Sequence, residues 1–316
     1  MPLSIFNSKG PERLLLRGLL FLVVLFLCFF VLFFISGLLA RGGRMGVSEI
    51  KHKRLSSILE PKIVLVGGSS LHYGMDSPLL ETLVKRPVVN MGIQGSIGLN
   101  FFFAEILDDV KEGDVVVAAL EHAQYYGVEP WGETALFSLV STRPQNLAYL
   151  APRQWLKLLT KGWVAIAENL KAGQASLLRK LTGKKVFRDR SNSWGDHMGH
   201  KGKKSIYKPS KPETFPGFSE ESIQMIERWK KAIEDKGACV HLAFAPIARS
   251  ALPIGFSLEQ SSVKQLPWIG DWKDLVYPDD MFFDTSHHLL FEHREKRARL
   301  LGKNLLNSEC LKTRLD

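Results

Sequence analysis

A serine, an aspartate and a pair of adjacent histidines are the residues of this chain best suited to work together: Ser69, Asp284, and His287 or His288. A serine hydroxyl attacks a carbonyl only when a base takes its proton. An imidazole serves as that base when a carboxylate orients its other ring nitrogen. The chemistry would be acyl transfer from an ester. It also requires donors aimed at a developing oxyanion, which the backbone N–H groups of Gly92 and Gly95 in the loop 90–96 can offer.

These residues lie far apart in sequence, so a fold must bring them together. Residues 63–70 read Ile-Val-Leu-Val-Gly-Gly-Ser-Ser. The apolar run is too short for a helix and suits a strand buried on both faces. Its two glycines permit a tight turn that leaves Ser69 at the carboxyl end of that strand. The same segment also reads as a plain strand-to-helix turn with Ser69 or Ser70 as N-cap. Further strands are expected at 87–91, 114–120, 238–245 and 281–283, and helices at 76–85, 96–110, 153–170, 219–236 and 291–306. Alternating strands and helices predict an α/β protein, a three-layer α/β/α sandwich around a mainly parallel five-stranded sheet. In such a sheet the loops after strands one, two and five open on one edge, where ligands bind.

Residues 18–40 contain no charged side chain, enough to cross a hydrocarbon core about 30 Å thick at 1.5 Å per residue. The exit, Ile-Ser-Gly-Leu-Leu-Ala-Arg, is a poor cleavage site, so a retained signal anchor is expected rather than a cleaved leader. The organisation read from sequence is a cytoplasmic N-terminus over 1–17, the span over 18–40 and a polar connector over 41–60. One domain follows over 61–316, with an insertion or lid near 131–216. The count of flanking basic residues weakly favours a cytoplasmic domain, but an N-terminal anchor ahead of a large domain more often exports it, so a periplasmic or extracytoplasmic domain is expected. The net charge of +10 suits anionic headgroups or envelope polymers, and equally a lysine-rich solvated surface. No nucleic-acid reading element is present. Three cysteines without a Cys-x-x-Cys spacing predict neither a disulfide framework nor a zinc site, with Cys239 a buried small apolar residue.

The segment from Val66, Val-Gly-Gly-Ser-Ser-Leu-His-Tyr-Gly-Met-Asp-Ser, resembles the nucleophile motif of the SGNH/GDSL hydrolase superfamily, in its membrane-anchored bacterial branch, with Gly68 where the family name has Asp. Residues 88–99 resemble its second motif, 121–127 its third, 192–196 another recurring segment and 284–289 its terminal Asp/His motif. The resemblance implies Ser69 as nucleophile, Asp284 as orienting carboxylate, His288 or His287 as base, and Gly95 in the oxyanion hole. Gln124 offers the only amide near the place where the family usually has Asn. The implied activity is that of a serine esterase or O-acyltransferase on O-acylated envelope or exported glycans, at the cytoplasmic membrane and without a cofactor. The alternative is a non-catalytic envelope assembly factor that binds a glycan or a membrane acyltransferase. Expected partners are thus an acylated carbohydrate or other ester, the lipid bilayer and a membrane acyltransferase, with no nucleic acid. His197 and His200 stand at a metal-like spacing beside Asp196, but no metal is expected. Asp196 and His200 are instead candidates for lining the cleft.

Overall fold

The computed structural model describes residues 11–209, 211–258 and 261–312; the tail expected over 1–17 lies largely outside them. The chain is a mixed α/β protein with one apolar N-terminal helix, α1 (Pro11–Leu39). The stretch expected to be a connector instead contains a helix, α2 (Val47–Ser57), which buries Lys51 and His52. Then follow β1 (Ile63–Val66), α3 (Ser69–Gly74), α4 (Ser77–Val84), β2 (Val88–Asn90), α5 (Leu99–Ala104), β3 (Val115–Leu120) and α6 (His122–Tyr125). Next come α7 (Thr134–Thr142), α8 (Pro152–Leu181), α9 (Glu220–Glu234), β4 (Cys239–Phe244), β5 (Ile247–Ala248) and α10 (Ser261–Lys264). The described chain ends with β6 (Val276–Tyr277), α11 (Arg294–Leu306) and α12 (Glu309–Lys312).

The sheet has four parallel strands in the order β2-β1-β3-β4, with Val64 beside Val89 on one side and Val116 on the other. Both of its faces are apolar because β1 and β3 are buried along their whole length. Alternate residues enter separate cores. Val64, Val66 and Val116 join Phe101–Phe103, Met225 and Ile226 on one face, whereas Ile63, Leu65 and Val117 join Leu80, Ala298 and Leu301 on the other. Lys62 and Asp114 enter the sheet as a fully buried ion pair at 2.8 Å.

The expected five-stranded sheet is corrected to four. Asp279–Met281 is a 3-10 turn after Pro278, and Phe282 makes only an isolated antiparallel bridge to Leu289, so this stretch turns back on itself instead of joining the sheet. A separate pair, β5 and β6, lies beside it. The single helix expected over 96–110 is broken into short pieces. Gly98 sits at φ +98°, and a Cβ there would overlap the backbone of Gly132. That conformation is open to glycine at little cost but breaks a helix.

Within the stretch read as a lid, α7 and α8 pack along the second half of α1. A Cβ on Gly37 would overlap the carbonyl of Ser141, and one on Gly162 would lie 2.6 Å from Phe29 Cζ. Phe29 and Trp163 meet with ring centroids 4.9 Å apart.

The expectation of three unlinked cysteines is also corrected: a Cys239–Cys310 disulfide ties β4 to α12 across 71 residues. Closing a loop of that length stabilises the folded chain by about 4 kcal/mol on the chain-entropy account. Reduction should therefore lower the unfolding free energy by about that amount. Denaturant melts of the full chain with and without a thiol reductant measure it, and coincident melts would contradict the cross-link.

Candidate active site

The site is built where β1, β2 and β3 end. Gly67 closes β1 at φ +152°, and a Cβ there would lie 2.5 Å from Ala119 O of the neighbouring strand. Ser69 then begins the short helix α3, partly exposed, with Gly68 as its N-cap.

Glu121, at the end of β3, reaches across to this turn. Its Oε1 accepts the Ser70 N–H at 2.9 Å and the Ser69 hydroxyl at 3.3 Å. A carboxylate at a helix start is favourable because the first N–H groups lack intrahelical partners. The carboxylate also fills the room beside two glycines. A Cβ on Gly68 would lie 2.5 Å from Glu121 Oε1, and one on Gly95 would lie 2.8 Å from Oε2. No aspartate fits at position 68 while Glu121 holds this place. Gln124 is turned to structural use: its Oε1 accepts the Glu121 N–H at 2.7 Å, and its Nε2 donates to Gly95 O at 3.4 Å.

The Asp284 loop arrives from the other side. Thr285 Oγ1 accepts the His288 backbone N–H at 3.2 Å, while Phe283 N–H donates to His288 O at 2.7 Å, which pins the loop tightly. His288 Nδ1 and Asp284 Oδ1 are 2.7 Å apart. The Asp284 carboxyl is held below its ordinary range. Burial works against this, but the His288 bond and charge, helped by Arg44, outweigh it. The buried His288 ring stacks on Tyr73 at 4.3 Å with the planes 8° apart. Tyr73 lies four residues beyond Ser69 on α3, so the Asp284–His288 pair sits over the helix that Ser69 begins.

His287 points elsewhere. Its Nδ1 meets Pro246 O at 2.8 Å, and its ring stacks on His122 at 5.8 Å. Burial lowers its proton affinity, partly offset by the nearby Glu121 charge. Among the described residues, the Ser69 hydroxyl bonds Glu121 and neither histidine.

Asp196 does not line the cleft. Fully buried, it accepts Ser77 N–H at 2.9 Å, Ser77 Oγ at 2.6 Å, Asn90 Nδ2 at 2.8 Å and Asn192 Nδ2 at 3.1 Å. It thereby ties the 191–196 loop to α4 and to the end of β2. Lys51 completes this hub by donating to Asn90 O at 2.7 Å and Gly195 O at 2.6 Å; burial lowers its pKa to about 7 against the pull of Asp196. His200 is 1% exposed and packed among Tyr73, His197, Phe283 and Phe291. Burial takes His197 down to about 3 and His200 to about 4.

Two participants were given no role by the motifs. Arg44, just beyond α1, donates to Gln94 Oε1 at 3.1 Å and lies close enough to Asp284 and Tyr73 to bias their ionisation. Glu121 was legible in principle, since it follows a buried strand on the edge where Ser69 stands. Among the described residues, the ligand atoms of Cys239, His241 and Cys310 come together, but the two sulfurs are joined to each other. Comparison with models of known protein families, with curated proteins and with solved structures finds no match to this chain.

Proposed function

We propose that the chain is a membrane-anchored acyl-ester enzyme of SGNH/GDSL type, its sheet the centre of an α/β/α sandwich, acting on O-acylated envelope or exported glycans. One observation carries this reading: the 2.7 Å Asp284–His288 pair, stacked on the helix that Ser69 begins. Asp284 accepts from Nδ1 and leaves Nε2 to take the Ser69 proton. Ser69 Oγ then bonds to the ester carbonyl carbon, and the tetrahedral oxyanion is met by backbone N–H groups of the Ser69 and Gly95 turns. Collapse breaks the ester C–O bond, and His288 returns the proton to the departing alkoxide. Water attacking the acyl-serine gives an esterase; a sugar hydroxyl gives a transferase. None of these steps calls for a cofactor.

The domain is read as extracytoplasmic because the Cys239–Cys310 disulfide suits an oxidising compartment. The inner membrane is the corresponding location, with α1 as the anchor.

A second reading, a non-catalytic assembly factor that binds a glycan or a membrane acyltransferase, draws support from Glu121. Its carboxylate lies against Gly68 and Gly95, where an oxyanion would develop, and it holds the Ser69 hydroxyl. In the enzyme reading Glu121 must be displaced by substrate. Hydrolysis of an aryl acetate by the full chain in detergent separates the two. An enzyme loses turnover on Ser69→Ala and gains up to about 10²-fold on Glu121→Gln, the scale of one oxyanion contact. A binding protein shows no turnover above solvent in any of the three.

A further inference from the structure

We propose that the outward face of α8 lies in the lipid bilayer beside α1, so that the domain is seated in the membrane as well as tethered to it. The argument begins with length. Beyond Arg17, α1 is free of its own domain only as far as Cys28, where the side chains from Leu19 to Leu27 are exposed. That stretch rises roughly 16 Å, about half of a hydrocarbon core some 30 Å thick. The remaining depth has to be crossed by the uncharged turns from Phe29 to Ala40. One side of those turns is buried against the domain at Phe29, Phe33 and Ser36, while Val31, Leu32, Ile35 and Leu38 remain about half exposed.

The buried side is covered by α7 and α8, and α8 runs parallel to α1. Trp163 meets Phe29, Asn169 Nδ2 lies 3.5 Å from Ser36 Oγ, and Gly173 packs against Leu39. Whatever depth α1 reaches between Phe29 and Leu39, α8 reaches between Gly162 and Gly173. A soluble helix exposes polar residues on its outer face. Here Trp155, Leu159, Trp163, Leu170, Leu177 and Leu181 share one outward stripe, each at least 40% exposed. Leu158, Ala165 and Asn169 face inward, about a third of a turn around the helix from it. The stripe is continuous with the exposed side of α1, since Leu38 and Leu39 line one groove with Leu170 and Leu177. This continuity with the anchor identifies acyl chains as the occupant.

The test uses the full chain reconstituted in phosphatidylcholine/phosphatidylglycerol vesicles, with and without phosphatidylcholine brominated on its acyl chains. Trp155 and Trp163 are two of seven tryptophans. Brominated lipid is expected to quench wild-type emission, and the Trp155→Phe/Trp163→Phe double variant should lose most of that quenching. A melt equal to wild type shows that the variant is folded, and phenylalanine keeps the ring contact with Phe29. Equal quenching in wild type and double variant, or none in wild type, would overturn the proposal. So would a disulfide-linked dimer formed through Leu159→Cys, which assigns the stripe to a second copy.

Discussion

Acidification from pH 6.5 towards pH 4 is expected to open the segment around His197 and His200, and then to unfold the domain. His72, His197 and His200 are buried, and burial is the leading cause that depresses all three; His72 is also opposed by the Lys51 charge. Histidines held neutral in the fold bind protons only once unfolded. Their contribution is complete above about pH 6.5 and is lost as the pH falls towards their folded values. With three such groups the loss is about 4 kcal/mol per pH unit, at 1.4 kcal/mol per proton. Since a domain is stable by about 5–15 kcal/mol, two units exhaust much of it. The His197 amide donates to His72 O and the Met198 amide to Arg190 O, so both should lose hydrogen-exchange protection before the β1 and β3 amides do. Melting temperatures that do not change between pH 7 and pH 4.5 would contradict this account.

Asp284→Asn is expected to lower kcat for ester hydrolysis by about 10²–10⁴, with little change in KM. The amide can no longer accept from Nδ1–H as a carboxylate does, so the ring loses both its tautomer and the charge that stabilises its protonated form. The 2.7 Å contact makes His288 the histidine affected. His288→Gln should fall to the same level, and the double variant should fall no further, because the two groups act as a unit. An unchanged rate in Asp284→Asn together with a loss in His287→Gln would move the base to His287, whose proton affinity the Glu121 charge raises.

Much of the sheet was legible in sequence. β1 and β3 are uninterrupted apolar runs, which are easily read when both faces are buried, whereas β2 ends on Asn90 and β4 carries His241. The fifth expected strand, 281–283, has the same composition, but Pro278 and a tight loop at Asp284 turn it back before it can pair. The helix expected over 153–170 runs on to Leu181 as α8. Gly162 is a place where α1 comes too close for a side chain and Gly173 one where it leaves a tight fit, a tertiary reason that no local pattern carries. The α2 helix was missed because its inward face buries Ser48, Lys51 and His52 beside Val47 and Leu55, which blurs the apolar stripe. A disulfide across 71 residues leaves no mark in the spacing of three cysteines.

For the candidate site, motif order placed Ser69, Gly95 and Asp284 on converging loops. It left open which of two adjacent histidines meets Asp284, because that depends on a loop only four residues long. Thr285, which pins the loop, makes the difference. Glu121 stands against Ser69, Gly68 and Gly95, a place the motifs did not give it. Its effect comes from the absence of a Cβ at Gly68 and Gly95, a property of space rather than of residue pattern.

Whether Ser69 is a nucleophile is decided most directly by covalent labelling. The full chain in detergent at pH 7.5, treated with an alkyl fluorophosphonate and digested for mass spectrometry, is expected to carry the phosphonyl group on Ser69. Labelling should be abolished in Ser69→Ala and strongly slowed in His288→Gln. An unlabelled Ser69 in a folded wild-type chain, or labelling just as fast without His288, would contradict the account.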